Sequence, residues 1–192
     1  MHPHCRPPRR GVTIAEALVA MFVLALLSIG VCGLYVESLK MYNEGVHRTS
    51  AQQRASFAVQ LMLSEIQEAT NVDYPGPWVI VFTMPEKQDG LVVVDPETYT
   101  VVPGYQVAYY LSDSSGYYYR EGPYIWRAQR PLGTEEWQEK RLVIEEVGGL
   151  TFTYAPTIEM PELVRASVTV NAQGEPGYFN RTEVGEVWLR NH

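Results

Sequence analysis

Residues 9–35 read RRGVTIAEALVAMFVLALLSIGVCGLY, and from Ala17 to Tyr35 nineteen consecutive residues carry no charge. At ~1.5 Å of rise per residue, a helix of that length nearly crosses the ~30 Å hydrocarbon core of a bilayer. Arg6, Arg9 and Arg10 precede the run, and the first lysine after it is Lys40. This asymmetry holds the N-terminus in the cytoplasm and sends the rest of the chain across the inner membrane. The stretch therefore predicts a spanning helix with an extracytoplasmic remainder. At its start stands one carboxylate, Glu16, which would cost ~2.5 to 3.5 kcal/mol at the bilayer centre and less near an interface. Such a group calls for a compensating partner.

A secretory signal peptide is the plainer reading, with Val31-Cys32-Gly33 as a weak small-residue cleavage site. Against it, the apolar run is longer than an ordinary signal core, and the sequence beyond Gly33 continues in helical pattern. An ordinary signal anchor carrying a chance glutamate is the other plain alternative. A lipid-anchored Cys32 is disfavoured because Val31 stands where a small residue is expected.

No proline interrupts the chain between Pro8 and Pro75. Apolar or small residues recur at Leu39, Tyr42, Val46, Ser50, Phe57, Leu61 and Ile66, the spacing of one helical stripe. The pattern predicts a helix from Val12 to about Asn71, on the order of 90 Å long, stopped by Asn71 and Pro75-Gly76-Pro77. Its outer half is expected to lay Phe57, Leu61, Met62 and Ile66 on the following domain. Gly30, Gly33 and Gly45 each weaken a helix by ~1 kcal/mol against alanine, and in lipid they also permit close helix contact.

From Trp78 the texture changes to short β-branched and aromatic words separated by Gly, Pro and Asp. They are WVIVF, LVVV, YQVAYYL, YYYR, YIWRAQ, RLVIEEV, LTFTY, VRASVTV and EVWLR. These predict an antiparallel sheet, with Asp113-Ser114-Ser115-Gly116 as a hairpin turn between 105–111 and 117–120. The fold class is accordingly α+β, a long N-terminal helix packed on an antiparallel sheet. The chain reads as a basic leader at 1–11, a spanning and assembly helix at 12–36, an amphipathic continuation at 37–73 and one β-rich domain at 78–192.

Composition narrows the chemistry. The formal net charge is -7, and the segment 1–11 holds three arginines and no acid, so a chain beginning at Val12 carries -10. An acidic domain does not attract nucleic acid through its overall field, and no direct nucleic-acid partner is expected. The two cysteines, Cys5 and Cys32, both precede the β-rich region, which leaves that region no internal disulfide and no thiolate site. His2, His4, His47 and His192 are too scattered to suggest zinc. The pairs Glu135-Glu136 and Glu145-Glu146 point to opposite faces of a strand or are solvated in a loop. With no nucleophile elbow and no phosphate-cradling loop, the expectation is a non-enzyme without cofactor or metal. Of eight tyrosines between Tyr99 and Tyr124, most fit strand packing. Consecutive Tyr117, Tyr118 and Tyr119 cannot all face one way, so an exposed member is the expected contact residue.

The run Arg10-Gly11-Val12-Thr13-Ile14-Ala15-Glu16-Ala17-Leu18 resembles the processing site of type IV pilins and type II secretion pseudopilins. The resemblance implies cleavage between Gly11 and Val12 by a membrane prepilin peptidase, N-methylation of Val12, and a docking role for Glu16. Valine stands where phenylalanine is commoner in that family. The later series Gln106 to Leu111, Tyr119-Arg120, Val147 to Tyr154 and Val187 to Asn191 resembles the J-type minor pseudopilins and W-type minor pilins. That likeness implies other minor and major pilins or pseudopilins as partners, in a tip complex that primes a fibre. Type IV pilus, type II secretion and DNA-uptake machines share this helix logic. A membrane-anchored module whose tyrosine-rich sheet captures an external ligand is the alternative.

Overall fold

The computed structural model describes residues 13–117, 121–158, 161–174 and 177–189. One helix, α1 (Ile14–Glu68), precedes ten strands. The chain divides into two compact units, Met1–Asn43 and Glu44–His192. In the first, the described residues are helical from Ile14 onward, and their large apolar side chains, among them Leu18, Phe22, Leu27 and Leu34, are exposed.

The second unit joins the C-terminal half of α1 to antiparallel sheets. Its first strands are β1 (Asn71–Pro75), β2 (Val79–Pro85), β3 (Lys87–Gln88) and β4 (Leu91–Val92). They are followed by β5 (Pro103–Ser112), β6 (Tyr124–Pro131) and β7 (Glu139–Glu145). The last three are β8 (Val147–Pro156), β9 (Pro161–Gly174) and β10 (Gly177–Trp188). Five strands form one sheet in the order β1-β2-β5-β6-β7, three form another in the order β10-β9-β8, and β3-β4 is a separate hairpin. Every pairing is antiparallel. The molecule is thus α+β, a long N-terminal helix packed against antiparallel sheets.

One core lies between helix and sheets. Alternation along β5 sends Val107, Tyr109 and Leu111 inward, where they meet Phe82 and Ile125 and, from the smaller sheet, Phe152 and Val168. The buried stripe of α1 is Ala51, Ala55, Ala58, Val59, Met62 and Ile66. The expected face is therefore only half right: Met62 and Ile66 are buried, Leu61 is partly covered, and Phe57 is 54% exposed. Alanines take the middle of the contact because the sheet comes too close for phenylalanine. At Gly185 an added Cβ would stand 2.5 Å from Leu63 Cδ1 and 2.7 Å from Val59 Cγ1.

Three other expectations shift. The helix stops at Glu68, short of Asn71, because Thr70 turns away and gives both its N–H (2.8 Å) and its hydroxyl (3.0 Å) to the Thr83 carbonyl. Asn71–Pro75 then pairs with β2, where Pro75 already biases Tyr74 toward extended backbone. The word RLVIEEV is not one strand: Glu146, at φ 60°, sits in left-handed backbone and passes the chain from the five-stranded to the three-stranded sheet. After the turn at Asp113, β5 pairs with Tyr124–Pro131, so Tyr117 lies outside any strand.

Candidate functional site

At the start of α1, Thr13 and Glu16 bind one another. The Thr13 N–H and hydroxyl each donate to Glu16 Oε2 at 2.9 Å, while the Glu16 N–H donates to Thr13 Oγ1 at 3.3 Å. This is a capping box, in which two otherwise orphan donors of the first turn are satisfied reciprocally. The signal for it, Thr-x-x-Glu ahead of an apolar run, stands in the sequence at 13–16. Glu16 thus has a local partner in the single chain, and its side chain is otherwise exposed. Gly11 and Val12 lie outside the described residues.

Along the exposed first half of α1, the Ser28 hydroxyl amid the apolar run is also satisfied, donating to the Leu24 carbonyl at 2.8 Å. A Cβ added at Gly30, Gly33 or Gly45 would meet nothing within 4 Å. No contact inside the chain therefore demands glycine there. The helix is long and apolar enough to cross a membrane.

The second unit is tied to its helix by charge. Glu65 receives the Arg127 Nε–H at 2.9 and 3.0 Å and the Tyr109 hydroxyl at 2.8 Å. Arg127 and Glu65 are only 15% and 22% exposed. Burial, then the Glu65 charge, pushes the Tyr109 phenol far above its usual range. Glu68 pairs with Lys87 at 2.6 Å and Arg54 with Glu146 at 2.7 Å, both nearer to solvent. Glu146 is thereby occupied, while Glu135, Glu136 and Glu145 are exposed. Among the described residues no group of three His, Cys, Asp or Glu is placed to hold a metal ion.

The five-stranded sheet turns its other face away from α1. There Ala108, Tyr110 and Ala128 form a second small apolar cluster under Val79, Val81, Trp126 and Trp137. Trp126 donates its indole N–H to the Asp113 carbonyl at 3.0 Å and lies against Gly116. Tyr117 is 64% exposed on this side, with the Lys140 ammonium 4.2 Å from its ring centroid. The Arg130 guanidinium lies 4.5 Å from the Trp137 ring and donates to Gln106 Oε1 at 2.8 Å. Of the three consecutive tyrosines, Tyr118 and Tyr119 lie outside the described residues. The two cations are what a strand-by-strand reading overlooks, since only the register brings Lys140 opposite Ala128 and beside Arg130. Comparison with protein-family models, curated proteins and solved structures gives no match.

Proposed function

We propose that the chain is a minor pilin or pseudopilin, inserted with its N-terminus in the cytoplasm. In this reading a prepilin peptidase cuts between Gly11 and Val12, Val12 is methylated, and the subunit joins other minor and major pilins or pseudopilins through α1. Its role is then assembly or tip priming of a type IV pilus or type II secretion pseudopilus. The observation that carries this reading is the division of α1. From Ile14 to Tyr42 its large apolar side chains are exposed, whereas Ala51 to Ile66 include a buried stripe. A helix apolar on every side belongs in lipid or among other apolar helices, and the open glycines at 30 and 33 fit close approach there.

Glu16 then has two suitors: its own Thr13, and the new amine of a neighbouring subunit, whose charge it would compensate in lipid. Two substitutions separate them. Glu16→Gln keeps a capping-box acceptor and removes the charge; Glu16→Ala removes both. Both variants are expected to insert and to be cleaved, and both are expected to fail to enter the fibre. Incorporation of Glu16→Gln at the normal level would reduce Glu16 to a helix cap and remove the docking role.

The outer face with Tyr117 and Lys140 favours a second reading, a membrane-anchored ligand-binding module with α1 as its tether. N-terminal sequencing of the membrane-extracted chain separates the two. A first residue of Val12 supports assembly; an intact leader or a cut near Gly33 supports the tether or a secreted form.

A further inference from the structure

The outer face of the five-stranded sheet carries two cations that, among the described residues, form no salt bridge. Among the described residues, Arg130 donates only to the Gln106 side chain (2.8 Å) and the Glu135 carbonyl (3.2 Å), and no acid lies within salt-bridge distance of Lys140. Each is instead laid over an aromatic ring, Arg130 at 4.5 Å from Trp137 and Lys140 at 4.2 Å from Tyr117. A ring quadrupole holds a cation in place without cancelling its charge. In a chain whose net charge is -7, these two cations are held side by side on one face.

Their spacing follows from the register. Lys140 pairs with Ala128, and Arg130 lies two residues along β6 on the same face. The two are diagonal neighbours about 7–8 Å apart across an antiparallel pair. Beside them the face continues as a hydrogen-bonding row: Gln106 donates to Asp73 Oδ2 at 2.9 Å, and Thr83 to the same oxygen at 2.7 Å. The face thus combines the exposed Tyr117 ring, amide and hydroxyl groups, the Asp73 carboxylate that two of them already hold, and two positive charges set one strand apart.

We propose that this face binds an acidic glycan, a sugar polymer bearing a carboxylate or sulfate on every one or two residues. Charge complementarity selects the class. A nucleic acid presents a negative charge every ~1.7 Å of duplex and needs a matching run of cations, whereas this face offers two within an acidic surround. A glycan places its charges sparsely, and its apolar ring faces suit an exposed tyrosine such as Tyr117. The proposal stands apart from the assembly reading, because neither α1 nor Glu16 enters it.

The test uses the full chain in lipid nanodiscs, with polygalacturonate, dextran and a single-stranded oligonucleotide of similar length as probes in separate titrations. Binding to polygalacturonate is expected, weakening at least tenfold between 50 and 300 mM salt, as about two screened contacts require, with no binding to dextran. Lys140→Gln is expected to weaken polygalacturonate binding about fivefold, and Tyr117→Ala by a similar factor, with unchanged thermal unfolding in both. Both side chains are exposed, so neither variant threatens the fold. An unbound polygalacturonate, equal affinity for dextran, tighter binding of the oligonucleotide, or folded variants that bind like the parent would each overturn the proposal.

Discussion

Glu65 is the residue on which the second unit's helix is fastened, because one carboxylate serves the Arg127 guanidinium and the Tyr109 hydroxyl at once. Removing it leaves a guanidinium that is 15% exposed and a phenol buried in the core without their acceptor. Hydrogen bonds to charged groups contribute about 1.5–3 kcal/mol, so Glu65→Ala is expected to lower stability by about 2–3 kcal/mol in urea unfolding. Glu65→Gln, which keeps an acceptor, is expected to fall between. The phenols add a pH signature. Tyr109 and Tyr154 both titrate above their ordinary value, in each case chiefly through burial. The unfolded chain releases these protons near pH 10 while the folded chain retains them. Stability is therefore fully present below pH 10 and declines above it, by up to about 1.4 kcal/mol per pH unit for each phenol. Urea midpoints at pH 9 and 11 measure the decline, and Tyr109→Phe is expected to make it shallower. An unchanged slope in that variant would assign the effect to other groups.

At the scale of elements, the contact of α1 with the sheets depends on small residues. Ala55 and Ala58 are fully buried, and Gly185 on β10 faces Val59 and Leu63 too closely to admit a Cβ without displacement. Ala55→Leu is expected to cost about 1–3 kcal/mol by overpacking, whereas Phe57→Leu, at an exposed position, is expected to change stability by less than about 0.5 kcal/mol. Thermal unfolding of the two variants separates them, and equal losses would place the packed stripe elsewhere. This stripe also shows where sequence is legible. Periodicity finds the helix and the positions of Met62 and Ile66, but it weights alanine lightly and phenylalanine heavily, so the face rotates toward Phe57. The strand words locate β2, β5, β6, β8 and β9, since each is β-branched or aromatic and bounded by turns. They miss β1, where a register with Thr83 overrides a helical pattern, and they fuse β7 to β8 across Glu146, because a left-handed residue leaves no mark in a word such as RLVIEEV. The Asp89-Gly90 turn of the β3-β4 hairpin, with φ 52° and 81°, is absent from that word-by-word reading, although Asp-Gly is a dipeptide that favours such a turn. Of the site, the capping box is readable at Thr13 and Glu16, while the Arg130–Lys140 pair exists only through strand register.

At the scale of the whole molecule, charge and apolar surface are separated along the chain. The exposed apolar residues of the first unit lie between Ile14 and Tyr42, residues 1–11 hold three positive charges, and the rest of the chain carries -10. Lysine and arginine near the end of a spanning segment resist translocation, whereas acids contribute little to orientation. On the proposed membrane reading the three arginines set the topology, with the acidity of the second unit a passenger. A reporter enzyme active only outside the cytoplasm, fused after His192, is expected to be active in the native sequence. Replacing Arg6, Arg9 and Arg10 by glutamine is expected to divide the population between orientations and lower that activity severalfold at equal protein level. Adding three lysines directly after Tyr42 in the same variant is expected to invert most of it, since the bias then favours keeping that end inside. Undiminished outside activity in the combined variant would mean that the folding of the acidic unit, and not the flanking cations, decides which side it occupies.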